Sequence, residues 1–170
     1  MPDSSKYPEK IRPYIFLGFD PQKQTGHEHI GSCPFCGKSK FFVSEDTGRF
    51  SCKSVKTCGL EGNTFSAIRE WYTRLAQTNT EQGFTRQFKL LSEDRKVISV
   101  RTLRDAGILY DPDENRFVIP QFNAEGEVIY LRFYRLREKG KATLISIPKG
   151  GVLEASLFGL ESLKDPALKN

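Results

Sequence analysis

The four cysteines of this chain fall as Cys33-x2-Cys36-x15-Cys52-x5-Cys58, and no other feature limits the fold as strongly. Four thiolates must surround one metal ion tetrahedrally at about 2.3 Å, and two tight pairs separated by a hairpin's length can do this. Pro34 shapes the first loop. Gly37 and Gly59 each follow the second cysteine of a pair, where a reversible backbone can turn N–H groups towards sulfur. The spacer holds two short strand patterns, FFV (Phe41–Val43) and RFSC (Arg49–Cys52), around the turn signal EDTG (Glu45–Gly48). This predicts a zinc ribbon in which Cys33, Cys36, Cys52 and Cys58 hold one structural Zn²⁺ per chain. Two other readings remain open. Cys33 and Cys36 as a redox dithiol would normally open a helix in a βαβ context, whereas CPFCGKSKFFV runs into a strand. The four could also be inert buried thiols. The x5 spacing leaves a bulged second knuckle, KSVKT (Lys53–Thr57). His27 and His29, in GHEHIG, are read as non-ligands, His29 packing or hydrogen bonding nearby and His27 at the surface.

A closed four-thiolate sphere does no chemistry, so the ribbon is a scaffold or a reader. Its charge pattern favours the reader. The chain carries +5, and Lys38, Lys40, Arg49, Lys53 and Lys56 cluster around the cysteines with Phe41, Phe42 and Phe50 between them. Cations interleaved with aromatics suit single-stranded nucleic acid, because phosphates pair and bases stack. At least two of the three phenylalanines are expected in the ribbon's core instead. Zinc with four thiolates carries about −2 formally, which the neighbouring lysines offset. Hydrophobic residues are only 38% of the chain, as suits small units with little core. No apolar run approaches the ~18 residues of a membrane span. The opening MPDSSKYPEK lacks a secretion signal's apolar stretch. The expectation is a cytoplasmic protein with no membrane partner, a setting in which four cysteines point to metal, not disulfides.

The rest of the chain alternates in pattern. Residues 1–26 read as an N-terminal strap or short helix, 27–78 as the zinc-binding domain and 83–170 as a second module. After the N-cap Asn63, Phe65, Ile68, Tyr72 and Leu75 recur at helical spacing. Phe84, Phe88 and Leu91 repeat it, and Ser99 caps a third helix, Val100–Ala106, that stops at Gly107. The polar stretch Gln77–Gln82 reads as a linker. Arg116–Phe122 and Glu127–Leu136 read as strands around the turn Asn123–Gly126, with Ala142–Pro148 as a third. Alternation puts Arg132 on the opposite face from Arg135 and Arg137. The predicted class is α+β: a small antiparallel ribbon joined by helices to a mixed α/β module.

CPFC with KSKFFV, then RFSC and CGLEGNTF, resembles the CHC2-type zinc-binding domain of bacterial and phage DNA primases. Cys36 stands where that family often has His, and the second knuckle is longer than the family's x2. The resemblance continues through Leu103–Asp111 and Arg116–Leu136, with Arg116, Pro120, Gly126, Val128, Ile129 and Leu136 in register, and through Gly150–Leu163. It implies the four cysteines as zinc ligands, single-stranded DNA template as partner, and RNA primer synthesis in DNA replication as the parent activity. Arg116, Arg132 and Arg135 are the candidate template contacts, of which only one set, Arg132 or Arg135 with Arg137, can face the template on a regular strand; the family's G-G-R is replaced by Arg132-Phe133-Tyr134-Arg135, so no single arginine takes its role. Catalysis would need Mg²⁺ and NTPs at Toprim carboxylates, whose E-G and D-x-D signature is read as absent from this chain, so no catalytic residue is assigned. The chain reads as an N-terminal piece of a longer primase, inactive alone, with a replicative helicase as a further partner. The competing reading is a stand-alone zinc-ribbon DNA-binding or recruitment module without catalytic activity.

Overall fold

The computed structural model describes residues 4–95, 98–136 and 143–147. The chain divides into two units between Trp71 and Tyr72.

The first unit opens with a 3-10 turn, Ser4–Lys6, and helix α1, Arg12–Phe16. Proline in its first turn suits α1 to a start, where the missing N–H costs nothing. Ile11, Tyr14, Ile15, Leu17 and Phe19 are all buried, so this apolar strap does dock. A five-stranded antiparallel sheet follows in simple chain order: β1 Asp20–Thr25, β2 Glu28–Ser32, β3 Phe41–Ser44, β4 Phe50–Cys52 and β5 Glu61–Gly62. β1 carries no strand signal, because DPQKQT has no apolar face to alternate. It forms by pairing with β2 from Asp20↔Ser32 to Thr25↔Glu28, and its residues stay largely exposed at the sheet edge.

Alternation is clear on β3 and β4. Phe41 and Val43 point inwards, as do Phe50 and Cys52. Phe42 is half-buried on the other face, so two of the three ribbon phenylalanines are core. The rings of Phe19, Phe35 and Phe50 lie 5.2, 6.0 and 5.2 Å from that of Phe41. Tyr14 lies 6.1 Å from Phe41 and 5.8 Å from Phe50, and its hydroxyl donates to the carbonyl of Gly48. Aromatic pairs at these separations add to the area they bury. They weld strap, first knuckle and hairpin into one small core.

Helix α2, Thr64–Gln82, spans the division between the units. Asn63 and Ser66 cap it reciprocally: Asn63 Oδ1 accepts from Ser66 N at 3.1 Å and Ser66 Oγ accepts from Asn63 N at 2.9 Å. Phe65, expected on the buried stripe, is 45% exposed; Ile68 and Leu75 are buried. The expected linker at Gln77–Gln82 is helix instead. Thr78 and Thr80 return their hydroxyls to carbonyls four residues back. Asn79 donates to Tyr110 O and accepts from Tyr110 N, both at 2.8 Å, so the polar run is anchored within the second unit by this side chain.

The second unit adds α3, Thr85–Arg95, and α4, Val100–Asp105, capped by Ser99 Oγ on Thr102 N at 3.0 Å. Its four-stranded sheet is β6 Leu109–Asp111, β7 Arg116–Phe122, β8 Val128–Arg135 and β9 Thr143–Ile147, again antiparallel and in chain order. Asn123 Oδ1 accepts from the N–H groups of Glu125 and Glu127 and closes the β7–β8 turn. Phe88, Leu91, Leu103, Ile108, Tyr110, Phe117 and Tyr134 form its core. The architecture is α+β. Among the described residues no helix is long and apolar enough to cross a membrane.

Candidate metal centre

The cysteine pairs sit at the ends of strands that the ribbon sheet already brings together. β3 and β4 pair Phe41 with Cys52, so the segments before β3 and after β4 leave the sheet side by side. In the first knuckle, Cys33 N–H donates to Lys38 O and Gly37 N–H to Cys33 O, both at 2.9 Å. In the second, Cys52 N–H donates to Leu60 O at 2.7 Å and Cys58 N–H to Ser54 O at 2.8 Å. Both loops therefore close from the first cysteine's N–H to the carbonyl two residues after the second cysteine. Gly37 and Gly59 have φ of +72° and +65°, which a side chain at either position would strain. These reversals aim Lys38 N–H at Cys36 Sγ and Leu60 N–H at Cys58 Sγ, and Phe35 N–H reaches Cys33 Sγ at 3.4 Å. N–H groups aimed at sulfur stabilise thiolate.

The four Sγ atoms lie within 4.8 Å of one another. Cys33 and Cys58 are 3.9 Å apart, Cys36 and Cys52 3.8 Å. A tetrahedron with bonds of about 2.3 Å has sulfur–sulfur edges of about 3.8 Å. A disulfide requires about 2.05 Å. The cluster thus fits a tetrahedral thiophilic ion such as zinc and does not have the geometry of a bonded dithiol. Cys58 closes the cluster despite the x5 loop, because the three additional residues are taken up by a turn in which Thr57 and Cys58 N–H both bond Ser54 O. Burial pushes the Cys33 and Cys58 thiols up. At Cys36 burial acts in the same direction but is outweighed by Lys38 N–H and the three neighbouring thiols, and the thiol is pulled down. A divalent ion at the centre would stabilise all four as thiolates.

No family model matches this sequence, and no curated protein matches it. The fold is similar to the crystal structure of the Aquifex aeolicus primase (zinc-binding and RNA polymerase domains), at 16% identity and a TM-score of 0.39. That likeness covers 93% of this chain, which spans only 56% of the other.

Neither histidine belongs to the cysteine cluster. His29 is buried and its Nε2 lies 2.9 Å from Glu45 Oε2. His27 Nδ1, exposed, lies 3.2 Å from Glu45 and from Asp46. Glu45 is held below the usual carboxylate range first by its bond to His29 and further by the charge of both histidines.

The expected nucleic-acid residues separate into two groups. Lys38, Lys40, Lys53 and Lys56 are exposed around the knuckles and make no ion pair with the described residues. Arg49 is also exposed, but it lies at the far end of β4, next to the hairpin turn. The sheet arginines behave differently. Arg116, expected on a template face, is 3% exposed: its Nε donates to Asp111 at 2.7 Å and its guanidinium lies 3.9 Å from the Phe133 ring. A template cannot reach it, and its place on that face is corrected. Asp111 and Arg116 are register partners across the β6–β7 hairpin, the one signal that could have exposed this ion pair in advance. Arg135 is bound to Glu114 through the carboxylate at 2.6 Å and the carbonyl at 2.7 Å. Arg132 alone of the three is exposed, 6.0 Å from the Tyr130 ring. Arg137 and Gly150–Leu163 lie outside the described residues. The chain does contain Glu61-Gly62, Glu125-Gly126 and Asp111-Pro112-Asp113, so the strings of the Toprim signature occur. They do not build its site: Glu61-Gly62 is β5, Glu125-Gly126 is a turn, and Asp111 is engaged by Arg116.

Proposed function

We propose that this chain is the zinc-ribbon and adjoining region of a CHC2-type DNA primase, bacterial or phage, and that its ribbon binds single-stranded DNA template. The observation that supports this best is the set of lysines around the four-cysteine cluster that pair with no carboxylate among the described residues. A structural zinc would fold both knuckles and hold those cations in place, supplying rigidity and no chemistry. Lys38, Lys40, Lys53 and Lys56 would meet template phosphates, and the exposed Arg132 would make any contact of the second unit on its own. RNA primer synthesis, its Mg²⁺ and NTPs, the Toprim carboxylates and any replicative helicase belong to the parent protein in this reading, in the cytoplasm.

The direct test is fluorescence anisotropy of the zinc-loaded chain with a labelled single-stranded oligonucleotide across a salt series. Binding should weaken steeply with salt, since each phosphate contact lowers the log–log slope by about 0.7 on a single strand. A duplex of the same sequence should bind more weakly. Absence of single-strand binding at low salt would defeat the reading. The engagement of Arg116 and Arg135 favours a second reading, in which the second unit serves protein recruitment and only the ribbon meets DNA.

A further inference from the structure

The two knuckles differ in one respect. Five residues separate Cys52 from Cys58 where two separate Cys33 from Cys36. The longer loop is not slack: Thr57 N–H and Cys58 N–H both bond the carbonyl of Ser54, at 3.0 and 2.8 Å, and fix a tight turn. Lys53 N–H, bonded to Lys40 O at 2.9 Å, holds that turn beside the strand that leaves the first knuckle. Between them lies a notch of about 370 Å³, walled by Lys38, Ser39 and Lys40 on one side and Ser54, Val55, Lys56 and Thr57 on the other.

Its lining has a consistent chemistry. Three lysines converge without a carboxylate among the lining residues. The side-chain hydroxyls of Ser39 and Ser54 have no protein partner among the described residues, so both can donate to an anion. Val55 stands at the rim 79% exposed, the most exposed large apolar residue described. An anion flanked by something apolar matches this lining; a lone inorganic ion would leave Val55 in water. The notch is at the small end of ligand pockets, the size of one nucleotide unit and not of a duplex groove.

We infer that this notch, created by the lengthened second knuckle, is the subsite for one phosphodiester of a single strand, with Val55 packing against the adjoining sugar or base. The inference rests on the single-strand reading above and adds to it a place and a register: Lys40 and Lys56 grip the phosphate, while Arg49 lies outside. Arg49 is three strand positions from Cys52, about 10 Å away along β4, and serves as an internal control.

The experiment uses the full zinc-loaded chain, with zinc content measured for each variant, and a labelled oligothymidylate. Lys40→Ala with Lys56→Ala should weaken binding by about tenfold and lower the salt slope by about 1.4, two contacts' worth. Lys40→Gln with Lys56→Gln repeats the test should the alanine pair lose zinc. Val55→Ala should weaken binding by about threefold with the slope unchanged, as for lost apolar burial. Arg49→Ala should change affinity by less than either. An unchanged slope in the lysine pair, or an Arg49→Ala loss equal to it, would overturn the subsite while leaving single-strand binding in place. Failure of the wild-type chain to bind removes the single-strand reading itself.

Discussion

The ribbon and the second sheet carry similar cations and use them in opposite ways. Around the knuckles Lys38, Lys40, Lys53 and Lys56 are exposed to water, with no carboxylate to answer them among the described residues. In the second sheet Arg116 is buried on Asp111 and Phe133, and Arg135 is held by Glu114. The cause lies in how each unit is held together. A ribbon built around a four-cysteine cluster and five packed aromatic rings does not enlist these lysines in its packing, and they find no carboxylate among the described residues. A sheet that brings Arg116 into its interior must neutralise it, because an unpaired buried charge costs several kcal/mol. Basic residues on a strand are therefore poor evidence for a nucleic-acid face until their partners are known.

Removing the metal breaks the comparison most severely. Cys52→Ser, or chelation of the wild-type chain, should unfold the ribbon and leave the second unit standing. Structural zinc sites of this kind contribute about 10–16 kcal/mol of binding energy that is also folding energy. Hydrogen exchange should show the amides of Phe41–Cys52 losing protection while those of Arg116–Phe122 keep theirs. A Cys52→Ser chain with full zinc and an unchanged melting profile would show that Cys52 is not a ligand.

The same division explains which parts of the fold are legible in the sequence. Cys33, Cys36, Cys52 and Cys58 were legible because ligand spacing is local: each pair is fixed by its own loop and the hairpin between them. β7 and β8 were legible because Arg116–Phe122 and Glu127–Leu136 alternate around a turn whose Asn123 caps itself. β1 was not, because an edge strand with no buried face leaves no periodic trace; only pairing with β2 creates it. The helical run Gln77–Gln82 was hidden for a related reason. Its Asn79 makes its decisive bonds to Tyr110, thirty-one residues away. The notch was invisible too, since an x5 spacing in the sequence is only a departure from pattern until the turn at Ser54–Thr57 gives it a wall.

The next largest effect falls on the second unit. Arg116→Ala leaves Asp111 charged and buried and should destabilise that unit by about 3–5 kcal/mol. Arg116→Met with Asp111→Asn should cost less, because no orphan charge remains. Oligonucleotide binding and its salt slope should be unchanged in both wherever the chain stays folded. A lowered slope in the double variant would return Arg116 to the nucleic-acid face and erase the contrast between the two units.

A smaller effect compares the units with one residue type. Tyr14 in the ribbon and Tyr72 in the second unit each donate to a glycine carbonyl, Gly48 and Gly107. Burial pushes both phenols up to about 12, with Thr64 pulling slightly the other way at Tyr14. A phenol raised in the folded state ionises first in the unfolded chain. Its stabilising contribution is therefore complete below pH 10, the unfolded value, and is lost as pH climbs towards 12. Tyr14→Phe and Tyr72→Phe should each cost about 1 kcal/mol at neutral pH, the worth of one buried hydrogen bond. That cost should shrink between pH 10 and 12, because phenylalanine removes the alkaline loss along with the bond. Denaturant melts at pH 7 and pH 11 read both quantities. In the ribbon the measurement is made with zinc bound, so that thiol titration does not overlie the phenol. If Tyr14→Phe were neutral while Tyr72→Phe cost its full amount, the strap would owe its docking to the aromatic rings and not to the bond with Gly48, and the ribbon would be the more purely hydrophobic of the two cores.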